Sequence, residues 1–159
     1  MHPSIVQSVQ IQGAITGLFL RALEGVSEEQ ALMLPAEGAN PLLWVAGHLV
    51  TTRCLLARTV GLAQEIPWGG RFARGAALDL GEGRPALAEV RAKWEEISAA
   101  LMARFEQLGE AELAGPAGSF PSLDRTVAGA LAMAALHDSY HAGQLGLLRR
   151  CLGHPRLVG

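Results

Sequence analysis

The chain has 159 residues, half of them hydrophobic, 18% charged and 5% aromatic, with a net charge of −2. That length suits one domain with a sizeable core, and a slightly acidic balance excludes the basic footprint of a nucleic-acid binder. The longest apolar run, residues 129–136, falls far short of the ~18 needed to span a bilayer, "MHPSIVQSVQ" lacks a secretory pattern, and two cysteines make no disulfide framework; the expectation is a cytoplasmic protein with neither nucleic-acid nor membrane partner.

Ser4 opens the first predicted helix, with Gln7 three residues on as its capping-box partner. Ile5, Ile11, Ile15, Leu18, Phe19 and Leu23 recur at mostly helical spacing until Gly25. "SEEQALML" repeats the Ser-x-x-Gln start and predicts a short helix before Pro35. "NPLLWVAGHLVTTRCLLARTVG" begins the second long helix, with Asn40 as N-cap, Pro41 at the first helical position and Gly61 as the stop. The glycine-rich stretch 62–84 has no sustained period, and a connection that long is functional or a crossover.

The third long helix is predicted from Pro85 to Leu108. Val90, Trp94, Ile97, Leu101, Phe105 and Leu108 step by threes and fours, with Glu89 and Lys93 paired on the far side. A second loop, "AGPAGSFPSLDR", leads to Thr126 as N-cap of the fourth, which runs to about Leu152 with Arg149 and Arg150 near its negative end. No segment alternates with period two, and no repeat is present. The reading is all-α: a single domain over 1–159, a four-helix bundle with a long crossover connection between helices 2 and 3.

Five histidines occur, and two of them, His137 and His141, lie four apart on the fourth helix, so both leave on one face a turn apart. Their stripe also carries Met133, Ala134, Gln144, Leu145 and Leu148, the side expected to face the bundle. Buried imidazoles without partners cost about 1–3 kcal/mol per unsatisfied group, and a shared metal removes that cost for one nitrogen of each ring. His48 stands in the equally apolar second helix, with Trp44 and Thr52 on its face. Gly47 beside it, with Ala134, Ala142 and Gly143 opposite, predicts close backbone approach, so that the three rings reach one point about 2 Å from each. His2 and His154 fall outside the helices and are expected in solvent.

"NPLLWVAGHL" and "LHDSYHAGQLGLLR" resemble the two signature segments of the DinB/YfiT-like superfamily, and "PWGGRFARG" resembles that family's connection after the second helix. The most specific part is His-x-x-x-His-x-Gly-Gln paired with an upstream Trp-x-x-x-His; the similarity runs from near the start to about residue 152. It implies a four-helix bundle with a long crossover and, often, a homodimer. By position it implies His48, His137 and His141 as the ligands of a divalent metal. Members with known activity include thiol-dependent S-transferases and isomerases that use low-molecular-weight thiols. The family name comes from DNA-damage induction and implies no DNA contact.

Three protein nitrogens leave a metal at least one open position, the mark of a catalytic site. Such a site acidifies a bound water or takes a thiol as thiolate, so both a hydrolase and an S-transferase acting on a small molecule are open. Asp138 sits where an H-E-x-x-H protease carries its glutamate, but it is one methylene shorter. Leu147 stands where a metzincin would have its third histidine, and strands are lacking. Asp138 is then a ligand's outer partner or a solvated or interhelical polar contact. Gln144, on the ligand stripe, is placed to hydrogen-bond a ligand, a substrate or the facing backbone, an orienting role being the favoured reading, and the lone tyrosine, Tyr140, is read as either a proton donor or a boundary residue.

Trp44 is read as wall and Trp68, in the long loop, as a cover for the pocket. Neither cysteine is at ligand spacing, so a participating thiol comes from a cosubstrate. Nitrogen ligation suits zinc, nickel, iron or cobalt. The alternatives are a non-enzymatic metal-binding stress bundle and a metal-free helical bundle; a di-iron bundle is excluded by the absence of paired Glu-x-x-His motifs.

Overall fold

Most helices of this chain begin where a side chain or a proline takes care of the first unpaired N–H groups. In the computed structural model, which describes residues 1–158, these helices are α1 Val6–Leu23, α2 Glu28–Leu32, α3 Leu42–Thr59, α4 Leu87–Phe105, α5 Glu110–Ala114 and α6 Val127–Cys151. The fold is all-α, with no named strand among the described residues. Two predicted caps form as read. Ser27 Oγ accepts from the Gln30 N–H at 3.1 Å while Gln30 Oε1 accepts from the Ser27 N–H at 3.0 Å. Thr126 Oγ1 accepts from the Gly129 N–H at 3.0 Å, a contact worth about 1 kcal/mol to the start of α6.

Other ends differ, each for a local reason. His2, not Ser4, caps the chain's first turn: Pro3–Ile5 is a 3₁₀ turn leading into α1, and the Ser4 N–H donates to His2 Nδ1 at 3.3 Å. The Ser4–Gln7 box does not form. Pro41 rather than Asn40 is the cap residue of α3, its carbonyl taking the N–H groups of Trp44 and Val45. Helix α4 starts two residues after Pro85, and Glu89 turns back to accept the Ala86 N–H at 2.7 Å. That leaves Lys93 to pair with Glu96, at 2.7 Å, instead of Glu89. Helix α5, five residues opened by Gly109, was not foreseen.

Helix α1 packs against α6 and α4, and α3 packs against the same two, so the four long helices meet in a closed cycle. Fourteen of the eighteen residues of α3 are buried, which is why its sequence shows almost no amphipathic stripe. It is walled by its helical neighbours and, on the remaining side, by the 62–84 segment, whose Phe72 is fully buried. At the centre, Phe19 of α1 stacks on Trp94 of α4 with ring centroids 4.1 Å apart. Burying each such side chain contributes about 1.5–3 kcal/mol.

Arg149, expected to serve the negative end of its own helix, instead crosses to α1. It donates to the carbonyls of Ala22 (3.2 Å) and Glu24 there, and to Pro155 of the C-terminal tail at 3.2 Å. These are the orphan carbonyls of a helix end, satisfied by a charge from the neighbouring helix.

Candidate metal centre

His48 comes from the middle of α3, His137 and His141 from successive turns of α6, and packing of α3 on α6 brings all three together. One ring nitrogen of each lies within 4.8 Å of the others. The Nε2 atoms of His48 and His137 are 3.1 Å apart. Two nitrogens each about 2 Å from one tetrahedral ion lie roughly 3.3 Å from each other, so the spacing is that of a shared ligand sphere. His48 is buried and stacks on Trp44, with centroids 5.0 Å apart and planes 9° from parallel. His137 and His141 are partly buried.

The far nitrogen of every ring is already engaged. His48 Nδ1 is 2.7 Å from the Phe72 carbonyl oxygen, His137 Nδ1 is 3.3 Å from Asp138 Oδ1, and His141 Nδ1 is 2.6 Å from Gln144 Oε1. A carbonyl or carboxylate oxygen can only accept, so each Nδ1 carries the hydrogen and each Nε2 is left with a lone pair. Two lone pairs facing one another at 3.1 Å repel unless a cation lies between them. Protonation is the poorer solution. Burial holds His48 below the ordinary histidine range, with the Phe72 carbonyl partly opposing it. Burial and the neighbouring His137 push His141 down to about 4. The donor set therefore fits a divalent metal at neutral pH, with three outer acceptors fixing ring orientation.

The long loop reaches this site through Phe72, not through Trp68. Trp68, Gly69 and Gly70 all adopt left-handed backbone conformations, with φ of 58°, 62° and 78°, which turns the chain sharply and drives Phe72 onto α3. A Cβ on Gly47 would lie 2.6 Å from the Phe72 ring. Gly47 thus makes room for the loop rather than for α6, and Gly143, expected to serve the same helix contact, faces open space. Trp68 packs edge-on against Phe72 and lies beside Glu89 and Lys93 of α4, away from the histidines.

A cavity of about 350 Å³ adjoins the centre. His48 and His137 are in its wall, with Leu55, Phe120, Pro121 and Met133 supplying apolar surface and Arg74 a cation. Among the described residues no acidic side chain lines it.

Asp138 is not solvated: its side chain is 1% exposed, and Oδ2 accepts from Arg53 Nε at 3.0 Å. Gln144 accepts from His141 Nδ1 at 2.6 Å and donates from Nε2 to the Tyr140 hydroxyl at 3.2 Å. Tyr140 itself is exposed, its ring edge-on to His141. His154 is partly buried and meets Gln30 Oε1 at 3.1 Å, contrary to the solvated reading. Two contributors were missed. Arg53 had a signal, a cation in the middle of an apolar helix; the Phe72 carbonyl, a backbone atom in an aperiodic loop, had none.

The family model described as the DinB superfamily matches residues 14–145, a span that contains all three histidines. No curated protein matches the chain.

Proposed function

The chain belongs to the DinB superfamily, and from that premise we propose that it is a metal-dependent enzyme. In this reading His48, His137 and His141 hold one divalent ion, zinc, nickel or iron, and a small electrophile meets a low-molecular-weight thiol in the adjoining cavity. The observation that carries the proposal is the division of labour among the ring nitrogens: each Nδ1 is engaged by an internal acceptor, the Nε2 atoms of His48 and His137 face one another at 3.1 Å beside that cavity, and His141 brings a ring nitrogen within 4.8 Å of them.

A divalent ion held there supplies Lewis acidity and an open position at which a thiol loses its proton. The protein's own residues do the rest. Phe72, Asp138 and Gln144 orient the rings. Leu55, Phe120 and Met133 receive an apolar body and exclude water, and Arg74, which pairs with no carboxylate among the described residues, suits a negatively charged group on the substrate. A hydrolase wants a carboxylate base within reach of its water; Asp138 is already committed to Arg53 and His137, and no other acid among the described residues faces the cavity. Thiol transfer is therefore favoured over hydrolysis. The thiol comes from outside, because burial pushes Cys54 up to about 11 and Cys151 lies against Leu148 and Leu152 in a different pocket.

The same reading makes the cycle of long helices a four-helix bundle with 62–84 as its crossover, in a cytoplasmic homodimer. Leu136, Tyr140 and Leu147 are exposed along one side of α6, an apolar strip that a second copy would cover.

Elemental analysis of freshly purified protein should find about one transition-metal ion per chain, lost in His137→Ala. Metal-loaded protein should accelerate consumption of glutathione or cysteine by 1-chloro-2,4-dinitrobenzene, and metal-stripped protein should not. A wild-type chain that holds no metal refutes the reading. Metal binding with silence towards a panel of thiols, electrophiles and esters would leave the non-enzymatic binder instead.

A further inference from the structure

The most heavily constrained polar group in the molecule lies one layer behind the histidines. Arg53 of α3 is 1% exposed. Its Nε donates to Asp138 Oδ2 at 3.0 Å, Nη1 to the hydroxyls of Thr16 (2.8 Å) and Ser98 (2.5 Å), and Nη2 to the Gln12 carbonyl at 3.0 Å. Its guanidinium carbon sits 3.6 Å from the centroid of the Trp94 ring. One side chain thereby joins α1, α3, α4 and α6. Its anionic partner uses only one oxygen for this pair; the other is the atom 3.3 Å from His137 Nδ1.

Stability alone does not account for such a pair. Desolvating two charges costs several kcal/mol per ion, and well-packed apolar replacements are often as stable or more so. Position accounts for it better. Adjacent residues on a helix point in different directions, so Asp138 does not face the His137 ring merely by following it in sequence; something must hold its carboxylate there.

We infer that Arg53 is a positioning residue of the metal centre: by fixing Asp138 Oδ2 it keeps Oδ1 as the acceptor for His137 Nδ1, and so aims His137 Nε2 at the ion. The inference rests on the proposed role of His137 as a ligand. Arg53 touches neither metal nor substrate and acts through the carboxylate. The arrangement transmits the packing of the four long helices to one ligand, because a shift of any of them moves a donor or acceptor of the guanidinium.

The test compares two variants with wild type, using zinc competition against a chromophoric chelator, the visible spectrum of the cobalt(II)-loaded protein, and urea unfolding in EDTA. The double variant Arg53→Met with Asp138→Leu removes both charges and leaves none stranded. It is expected to remain helical and cooperatively folded in EDTA, yet to bind zinc 10–100-fold more weakly with an altered cobalt spectrum. Asp138→Asn keeps the shape of the side chain. Its amide can present an acceptor to Arg53 or to His137 but not to both, so it is also expected to lose at least tenfold in zinc affinity.

A folded double variant that binds zinc within twofold of wild type, with an unchanged spectrum, overturns the inference and leaves Arg53 as a clasp of the fold. If the double variant does not fold, Asp138→Asn decides on the same criteria. A wild-type protein that binds no zinc or cobalt fails at an earlier step, since it removes the ligand role of His137 before any variant is compared.

Discussion

Replacing Gly47 by alanine adds one methyl group at the point where the long loop meets α3. That methyl would stand 2.6 Å from Cγ and 2.7 Å from both Cδ atoms of Phe72, separations that no packed pair sustains, so the ring must retreat by about 1 Å to reach ordinary contact near 3.5–4.0 Å. Phe72 is fully buried, and overpacking such a site costs about 1–3 kcal/mol. Alanine in place of glycine inside a helix returns about 1 kcal/mol. Displacing the Phe72 carbonyl from His48 Nδ1 removes a hydrogen bond of similar worth. The net expectation is a loss of about 1–3 kcal/mol.

Gly143→Ala is the matched control. It lies in α6 with nothing within 4 Å of the added carbon, so only the gain of about 1 kcal/mol remains. Urea unfolding in EDTA should therefore move in opposite directions for the two variants. Zinc competition should show weakened binding for Gly47→Ala alone, since only that variant frees the His48 ring. Equal stability of Gly47→Ala and wild type, or a gain matching that of Gly143→Ala, would refute the picture of a loop plugged onto α3 by Phe72.

Four further outcomes follow from the same geometry. His141 has a folded-state pKa of about 4, below its unfolded value near 6.5. Its contribution to the stability of metal-free protein is thus complete above pH 6.5 and is lost as pH falls towards 4; with solvent screening at this half-buried ring, unfolding in EDTA should weaken by about 1 kcal/mol between pH 7 and pH 5 on its account, a dependence that His141→Gln should reduce to the part His48 contributes. Burial and a thiol raised to about 11 leave Cys54 inert, so a disulfide reagent should titrate one fast thiol per native chain, Cys151, and two after denaturation; two fast thiols would contradict the packing of α3. Gln144→Ala removes the acceptor for His141 Nδ1 and should lower zinc affinity about tenfold, whereas Tyr140→Phe should leave it within twofold. Leu147→Glu on the exposed strip of α6 should convert the proposed dimer to monomer in light scattering, and a wild-type chain already monomeric at micromolar concentration would remove that proposal.

The helices were legible where local chemistry is strong. Thr126 and the Ser27–Gln30 box are sequence signals that need no tertiary contact, and both form. The pattern from Val90 to Leu108 is legible for a different reason: α4 has one face in the core and one in water, so its periodicity survives. Helix α3 has no such contrast because it is buried on most sides, and only its proline and glycine boundaries mark it. The misread ends show competition between signals. Ser4 and Asn40 are both good caps in isolation, but each stands next to a proline, and the proline's fixed φ sets where the backbone turns.

At the site, the sequence exposes the histidines because their spacing is a helical property: i and i+4 share a face whatever surrounds them. What holds the rings is not a helical property. The acceptor for His48 is a loop carbonyl, available only because three consecutive left-handed residues reverse the chain and a glycine on α3 leaves space for the incoming ring. The acceptor for His137 follows it directly in sequence, yet its orientation is decided by Arg53, 85 positions upstream. Residue types at fixed spacing can nominate ligands, but whether three imidazoles present lone pairs or hydrogens to one another depends on these distant acceptors. Gln144 is the instructive exception: three residues beyond His141 on the same helix, it meets that ring through purely local geometry, with no help from a distant element.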